Sequence, residues 1–281
     1  MKLTEQEKFR LLNLEKGYEG EVKFDQLAEG LHEERYIIND LLLEVNNSYF
    51  QIDTLIISQS EIHLLDIKNF EFDCYLESEN LYSVTTDHEY KNPIDQLKRA
   101  KTLLRQLFRI LKLNYLIEAF VIFINPEFTL YQAPKDLPII LPTQVNRFLL
   151  NINNTSSKLN EGHKNLAETL ISLHQTKNPY TILPKYTYEQ QQKGFYCKIC
   201  NSFLVSIKKY DLVCSKCGVH EKIEQAILRN VKEFVLLFPD RKITTQNIYE
   251  WCKADLNKRT IRRVLKKNYT SFGNTRETYY E

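Results

Sequence analysis

The sequence has no run approaching eighteen uninterrupted apolar residues, so a membrane-spanning helix is not expected. Its opening, MKLTEQEKFRLL, is charged and lacks the apolar segment of a secretory leader; export is not expected, and a cytoplasmic location is. The seven glycines include no Gly-x-x-x-x-Gly-Lys-Ser/Thr and no Gly-x-Gly-x-x-Gly between a strand and a helix, which argues against a nucleotide-cradling loop. No long internal repeat is visible. The six cysteines do not read as a disulfide framework. Four are packed into 197–217 as paired C-x2-C units while Cys74 and Cys252 stand alone, a pattern that suits a metal site in a reducing compartment.

What is present is an ordinary globular composition on a chain of 281 residues, long enough for one sizeable core and one or two small modules. The net charge of +2 averages unlike halves. From Tyr186 onward eighteen lysines and arginines face ten acids, about +8, which leaves about −6 for the first 185 residues. A basic appendage on a mildly acidic body suits a catalytic domain whose substrate grip is partly supplied by its tail; chance asymmetry of surface charge is the plainer alternative.

Hydrophobic pattern and turn residues predict an α/β core, a mixed sheet flanked by helices. Thr4 and Glu7 form a capping box for a helix over 3–16, Gly17 breaks it, and a second helix through EGEVKFDQLAEGL carries Glu19 and Glu21 in its first turn. Three strands follow, in ERYIINDLLLEV, YFQIDTLIIS and EIHLLDIKN, the last two a hairpin. A weaker hairpin spans FDCYLE and LYSVTT. Asn92-Pro93 then opens a long helix to about Leu111, and IEAFVIFINP reads as a central strand buried on both faces. The boundaries drawn are 1–177 for this core, 178–194 for a linker rich in Pro, Tyr and Gln, 195–220 for a cysteine module and 221–281 for a basic helical region.

The chemistry concentrates in QID at 51–53 and DIK at 66–68. Asp53 early on one strand and Asp66 late on the next can face each other in an antiparallel pair. Asp66 and Lys68, two apart, share one face of their strand while Ile67 points to the other. Crowded carboxylates repel unless a cation is present, so the cluster makes better sense occupied. Taken singly, Asp66 and Lys68 also read as a sheet-edge ion pair, His63 as a sheet-surface histidine, and Cys74 and Cys252 as small buried hydrophobes.

Together with Gly17-Tyr18-Glu19-Gly20-Glu21 and NPIDQ at 92–96, these motifs resemble the nuclease-related domain, a branch of the restriction-endonuclease-like PD-(D/E)xK superfamily, over roughly residues 15–125. The resemblance implies a mixed sheet flanked by helices and magnesium- or manganese-dependent hydrolysis of DNA, usually leaving 5′-phosphate and 3′-hydroxyl ends. It makes Glu21 a helix-borne acid leaning toward the metal, Asp53 the principal metal ligand and Asp66 the second. Lys68 would orient the attacking water, and Gln96 would project into the same site. The Ile67 carbonyl is placed as a backbone ligand. Asp66 stands where many relatives carry glutamate, a side chain longer by one methylene.

Cys197, Cys200, Cys214 and Cys217 have the spacing of a four-thiolate structural zinc site, and FLVSIKKYDLV between the pairs suits two small strands, so the module resembles a zinc ribbon. Lys198, Lys208 and Lys209, interleaved with Phe195, Tyr196, Phe203 and Tyr210, could meet nucleic acid; small zinc modules also need aromatics for want of a core. In the tail, Thr245 is a candidate helix cap. LNKRTIRRVLKKNY turns Ile261, Val264 and Leu265 inward and projects Lys258, Arg259, Arg262, Arg263, Lys266 and Lys267, an arrangement that resembles a helix-turn-helix. DNA is the expected partner, with RNA as the alternative and no membrane. Three rivals remain: a noncatalytic DNA-binding or regulatory protein on a nuclease fold, an RNA-processing nuclease, and a metal-stabilised assembly protein whose tail meets an acidic partner. DNA repair, mobile-element and phage-defence roles all fit, and no motif chooses among them, nor fixes protein partners or oligomeric state.

Overall fold

A computed structural model describes residues 3–181, 183–203, 205–208, 211–253, 256–273 and 278–281. They form two compact units, Leu3–Leu183 and Pro184–Glu281. Lys209 and Tyr210, two of the residues expected to meet nucleic acid, lie outside the described residues.

The N-terminal unit opens with α1 (Glu5–Ala28), one continuous helix where two were expected. The capping box forms: the Glu7 amide donates to Thr4 Oγ1 at 3.2 Å and the Thr4 amide to Glu7 Oε2 at 2.7 Å. Gly17 does not break the helix. One interior glycine costs about 1 kcal/mol, and the burial of Gly20, Phe24 and Ala28 on the sheet outweighs that. Glu19 and Glu21 therefore lie in mid-helix, not in a first turn.

Strands β1 (Tyr36–Val45), β2 (Ser48–Ile57) and β3 (Glu61–Lys68) make an antiparallel meander. A small second sheet follows from β4 (Cys74–Glu77), β5 (Asn80–Ser83) and β6 (Glu89–Tyr90), and then α2 (Pro93–Ile110) leads to β7 (Leu116–Phe123). β8 (Leu130–Tyr131) joins the small sheet, β9 (Ile139–Ile140) the large one, and α3 (Val145–Asn154) and α4 (Glu161–Ser172) close the unit. The main sheet runs β1-β2-β3-β7-β9, antiparallel across its first three strands and parallel from β3 through β7 to β9. β3 is thus the middle strand, with β7 beside it.

Helices cover both faces. Leu97, Leu104 and Phe108 of α2 and Leu166 and Leu170 of α4 pack with Leu64, Val121 and Phe123 on one side. Phe24 of α1 and Val145 and Leu149 of α3 pack with Leu65, Ile67 and Ile122 on the other. At roughly 25 cal/mol per Å² of apolar surface buried, such a double-sided core is the main force holding the sheet. His63 is not a surface residue: it is 6% exposed, between Phe120 and Phe148.

The C-terminal unit holds a three-stranded antiparallel sheet of β10 (Val205–Lys208), β11 (Asp211–Cys214) and β12 (His220–Lys222), one strand more than expected. Three helices follow, α5 (Ile223–Leu237), α6 (Thr245–Cys252) and α7 (Lys258–Asn268), then a hairpin of β13 (Ser271–Phe272) and β14 (Tyr279–Tyr280), and Ile243 bridges to Tyr280. Phe195 and Leu212 share one core with Ile227, Phe234, Trp251 and Leu265, and Tyr188, from the stretch expected as linker, is buried in it. Thr244, not Thr245, caps α6, accepting from the Asn247 amide at 3.0 Å.

Candidate active site

Register brings the two aspartates together. The β2–β3 ladder pairs Thr54 with Leu65, which puts Asp53 and Asp66 opposite each other one step further along. The Ile67 amide donates to Asp53 Oδ2 at 2.8 Å. Asp66 is buried, and its Oδ1 accepts from Lys68 Nζ at 2.8 Å and from Gln96 Nε2 at 3.2 Å. Its Oδ2 is buried and has no hydrogen-bond partner among the described residues. Ile67 points away, into the core under α1.

The electrostatics follow from burial. Loss of water pushes the Asp53 carboxyl up to about 7, the neighbouring Asp66 charge adds to this, and Lys68 pulls the other way. Asp66 is raised by burial, against Lys68. Two carboxylates therefore share one ammonium, which leaves the pair short of positive charge. The donor set of Asp53 and Asp66, with one buried oxygen unpartnered, fits a hard divalent cation.

Gln96 reaches this pair because Asn92 caps α2, accepting from the Ile94 amide at 2.9 Å, with Pro93 in the first turn. Glu21 approaches from the opposite side of the sheet's end. Gly20 beside it lies so close to Asn69, just past β3, that an added Cβ would come within 2.6 Å of the Asn69 Cβ. Asn69 in turn donates to the Lys16 carbonyl at 2.7 Å and accepts from Asn125 at 3.1 Å. Burial raises the Glu21 carboxyl, as do the charges of Asp40 and Asp25, against Lys68. The carboxylates of Glu21, Asp53 and Asp66 do not gather as closely as the four cysteines described below, which among the described residues are the only three or more His, Cys, Asp or Glu whose ligand atoms lie close enough together to hold one metal ion.

Asp40 escaped the sequence reading. It lies opposite Asp53 on β1, at φ +52°, and accepts from Gln51 Nε2 at 2.9 Å. The core-facing parity switches there on both strands: Ile38 against Leu41 and Leu43 on β1, Leu55 and Ile57 against Phe50 and Ile52 on β2. The signal available was that break in alternation, since a regular strand keeps one face to the core.

In the C-terminal unit the Cys197, Cys200, Cys214 and Cys217 sulfurs all lie within 4.8 Å of one another, with Cys197–Cys217 at 3.4 Å and Cys200–Cys214 at 3.6 Å. A tetrahedron with Zn–S bonds near 2.3 Å has edges of about 3.8 Å, so these four thiols are spaced for one such ion. Backbone amides of Cys200 and Ile199 hold the Cys197 thiol down to about 6, whereas Cys217, although the Val219 amide favours its thiolate, is pushed up to about 12 by its hydrogen bonds with the other cysteines. Cys74 and Cys252 are fully buried, their thiols pushed up to about 11 and about 12 by burial.

The basic residues divide. Lys198 and Lys208 are exposed on the cysteine module, and Phe203 is 39% exposed, whereas Phe195 is in the core and Tyr196 lies under the Arg229 guanidinium at 4.2 Å. On α7, Lys258, Arg259, Arg262, Arg263, Lys266 and Lys267 are all exposed and Ile261, Val264 and Leu265 are buried.

Among the described residues no helix is long and apolar enough to cross a membrane. Residues 16–124 match the family model described as the nuclease-related domain, a segment that lies wholly within the N-terminal unit and contains Glu21, Asp53, Asp66, Lys68 and Gln96. No curated protein and no solved structure matches the chain.

Proposed function

We propose that the nuclease-related segment, residues 16–124, hydrolyses phosphodiester bonds of DNA at the Asp53–Asp66–Lys68 cluster, with a divalent metal ion as cofactor. The observation that carries this reading is the pairing of half-buried Asp53 with buried Asp66, one Asp66 oxygen unpartnered, an anionic pocket short of a cation. Asp53 and Asp66, with the Ile67 carbonyl and Glu21 around them, would hold magnesium or manganese. Such an ion, when bound, offsets charge on the transferring phosphate and favours hydroxide over water. Lys68, fixed against Asp66, supplies the ammonium that orients the attacking water and balances charge at phosphorus. Gln96 holds the same carboxylate in place. As water adds in line, the P–O3′ bond breaks, leaving a 5′-phosphate and a 3′-hydroxyl. The four cysteines hold structural zinc in this reading, and the basic C-terminal unit adds grip on nucleic acid.

The test is incubation of the full chain with linear, circular and single-stranded DNA and with RNA, each with magnesium, with manganese and with neither. Asp53→Ala and Lys68→Ala run alongside. Metal-dependent cleavage of DNA by the wild type, lost in both variants, supports the site; equal product from all three proteins overturns it. Preferential cleavage of RNA would replace the substrate assignment while keeping the chemistry.

A further inference from the structure

We propose that the C-terminal unit binds duplex DNA through α7, with a backbone phosphate seated in a cleft where the N-termini of α6 and α7 meet. The inference extends the grip assigned above to this unit and does not depend on cleavage. The cleft has a volume of about 390 Å³ and is lined by Thr244 and Thr245 at the start of α6, by Lys258, Arg259 and Arg262 of α7, and by Tyr280. The first amides of a helix have no intrahelical acceptor and carry the positive end of its dipole, so this is a place for an anion. Two independent features point the same way. Tyr280 is 1% exposed, yet its hydroxyl has no hydrogen-bond partner among the described residues. And α7 places Lys258 and Arg259 in its first turn with no acid there, against its own dipole, a local cost that a bound phosphate would relieve.

The cations of α7 do not share one role. Lys267 is held by Glu224 at 2.7 Å, and the charge of Arg263 bears on the same carboxylate. Lys258 reaches Gln246 Oε1 at 2.7 Å. Arg259, Arg262 and Lys266 make no ion pair among the described residues and follow one face of the helix at three- and four-residue spacing. The three span about 10 Å along the axis, and a helix about 10–12 Å across fits a major groove about 12 Å wide. The major groove of A-form RNA is too narrow to admit it. After α7 the β13–β14 hairpin returns through Tyr280 to Ile243, so the chain beside the cleft is fixed by a single bridge to the residue just before the α6 cap.

The experiment measures binding of the full chain to a 20-base-pair DNA duplex across a salt series, without added magnesium or manganese so that nothing is cut. The Arg259→Ala/Arg262→Ala double variant is expected to lose at least about tenfold in affinity and to flatten the slope of log K against log salt by roughly two phosphate contacts, about 0.9 each. Tyr280→Phe should weaken binding severalfold. Wild-type affinity and slope in the double variant, with helix content intact by circular dichroism, would overturn the proposal; so would duplex RNA binding as tightly as duplex DNA. Because no cleavage is read, failure of the nuclease site would leave this result untouched.

Discussion

At the residue scale, the site is defined by one oxygen that has nothing to bind. Asp66 Oδ2 is buried without a hydrogen-bond partner among the described residues, and the Asp66 charge raises the neighbouring Asp53 carboxyl, so without a cation the pair carries more negative charge than a place poor in water favours. Asp66→Asn keeps an acceptor for Lys68 and Gln96 and offers Asp53 an N–H. The metal-free variant should therefore be more stable than the wild type, by about 1 kcal/mol, while cleavage falls at least about 100-fold. Thermal melting without divalent metal, paired with a cleavage assay, reads both effects; a less stable Asn variant would contradict the repulsion. A half-buried carboxyl, Glu233, gives a pH signature remote from the site. Glu233 accepts from Trp251 Nε1 at 3.0 Å, and burial raises its pKa above the ordinary 4.5, the Trp251 bond opposing. A folded value above the unfolded one means the folded state holds the proton more tightly. The stabilisation is complete below the unfolded value and is lost as pH rises through the folded one. Glu233→Gln should flatten the decline in melting temperature from pH 4.5 toward neutrality.

At the element scale, α1 carries two glycines with opposite consequences. Gly17 has open space about it, so Gly17→Ala should stabilise by up to about 1 kcal/mol through helix propensity. Gly20 lies against Asn69, so Gly20→Ala forces α1 or Asn69 to move, costing roughly 1–3 kcal/mol and displacing Glu21 from the site. Denaturation should rank Gly17→Ala above wild type and Gly20→Ala below it, with cleavage reduced only in the latter. The same helix marks the limit of what could be read beforehand. The D-I-K spacing put Asp66 and Lys68 on one face because strand alternation is local and has period two. Pro93 placed the start of α2 because proline fits the first turn of a helix. The continuity of α1 was illegible, since what outweighs the cost of Gly17 is packing of Phe24 and Ala28 on strands distant in sequence. Asp40 was hidden by a switch of strand parity at φ +52°, and β13 and β14 by being two residues each, too short to show alternation.

At the scale of the whole molecule, the charge division and the structural division nearly coincide. The acidic stretch ends at residue 185 and the first compact unit at Leu183, so the nuclease-related segment belongs to one unit and the cysteines and basic helices to the other. The second unit is small, and its cysteine module and helices are not independently cored: Phe195 and Leu212 of the module lie among Ile227, Phe234 and Trp251 of the helices. Zinc held by the four cysteines, binding only the folded form, would contribute much of the stability of a unit of this size. Stripping zinc with a strong chelator should therefore loosen α5, α6 and α7 along with the strands that bear the cysteines. Hydrogen exchange on the full chain is expected to show protection of those helices falling at least about tenfold, about 1.4 kcal/mol, while β2, β3 and β7 keep theirs. Stoichiometric zinc release with α5–α7 still fully protected would separate the helices from the ribbon and refute the shared core; absence of zinc from folded, reduced protein would refute the site itself.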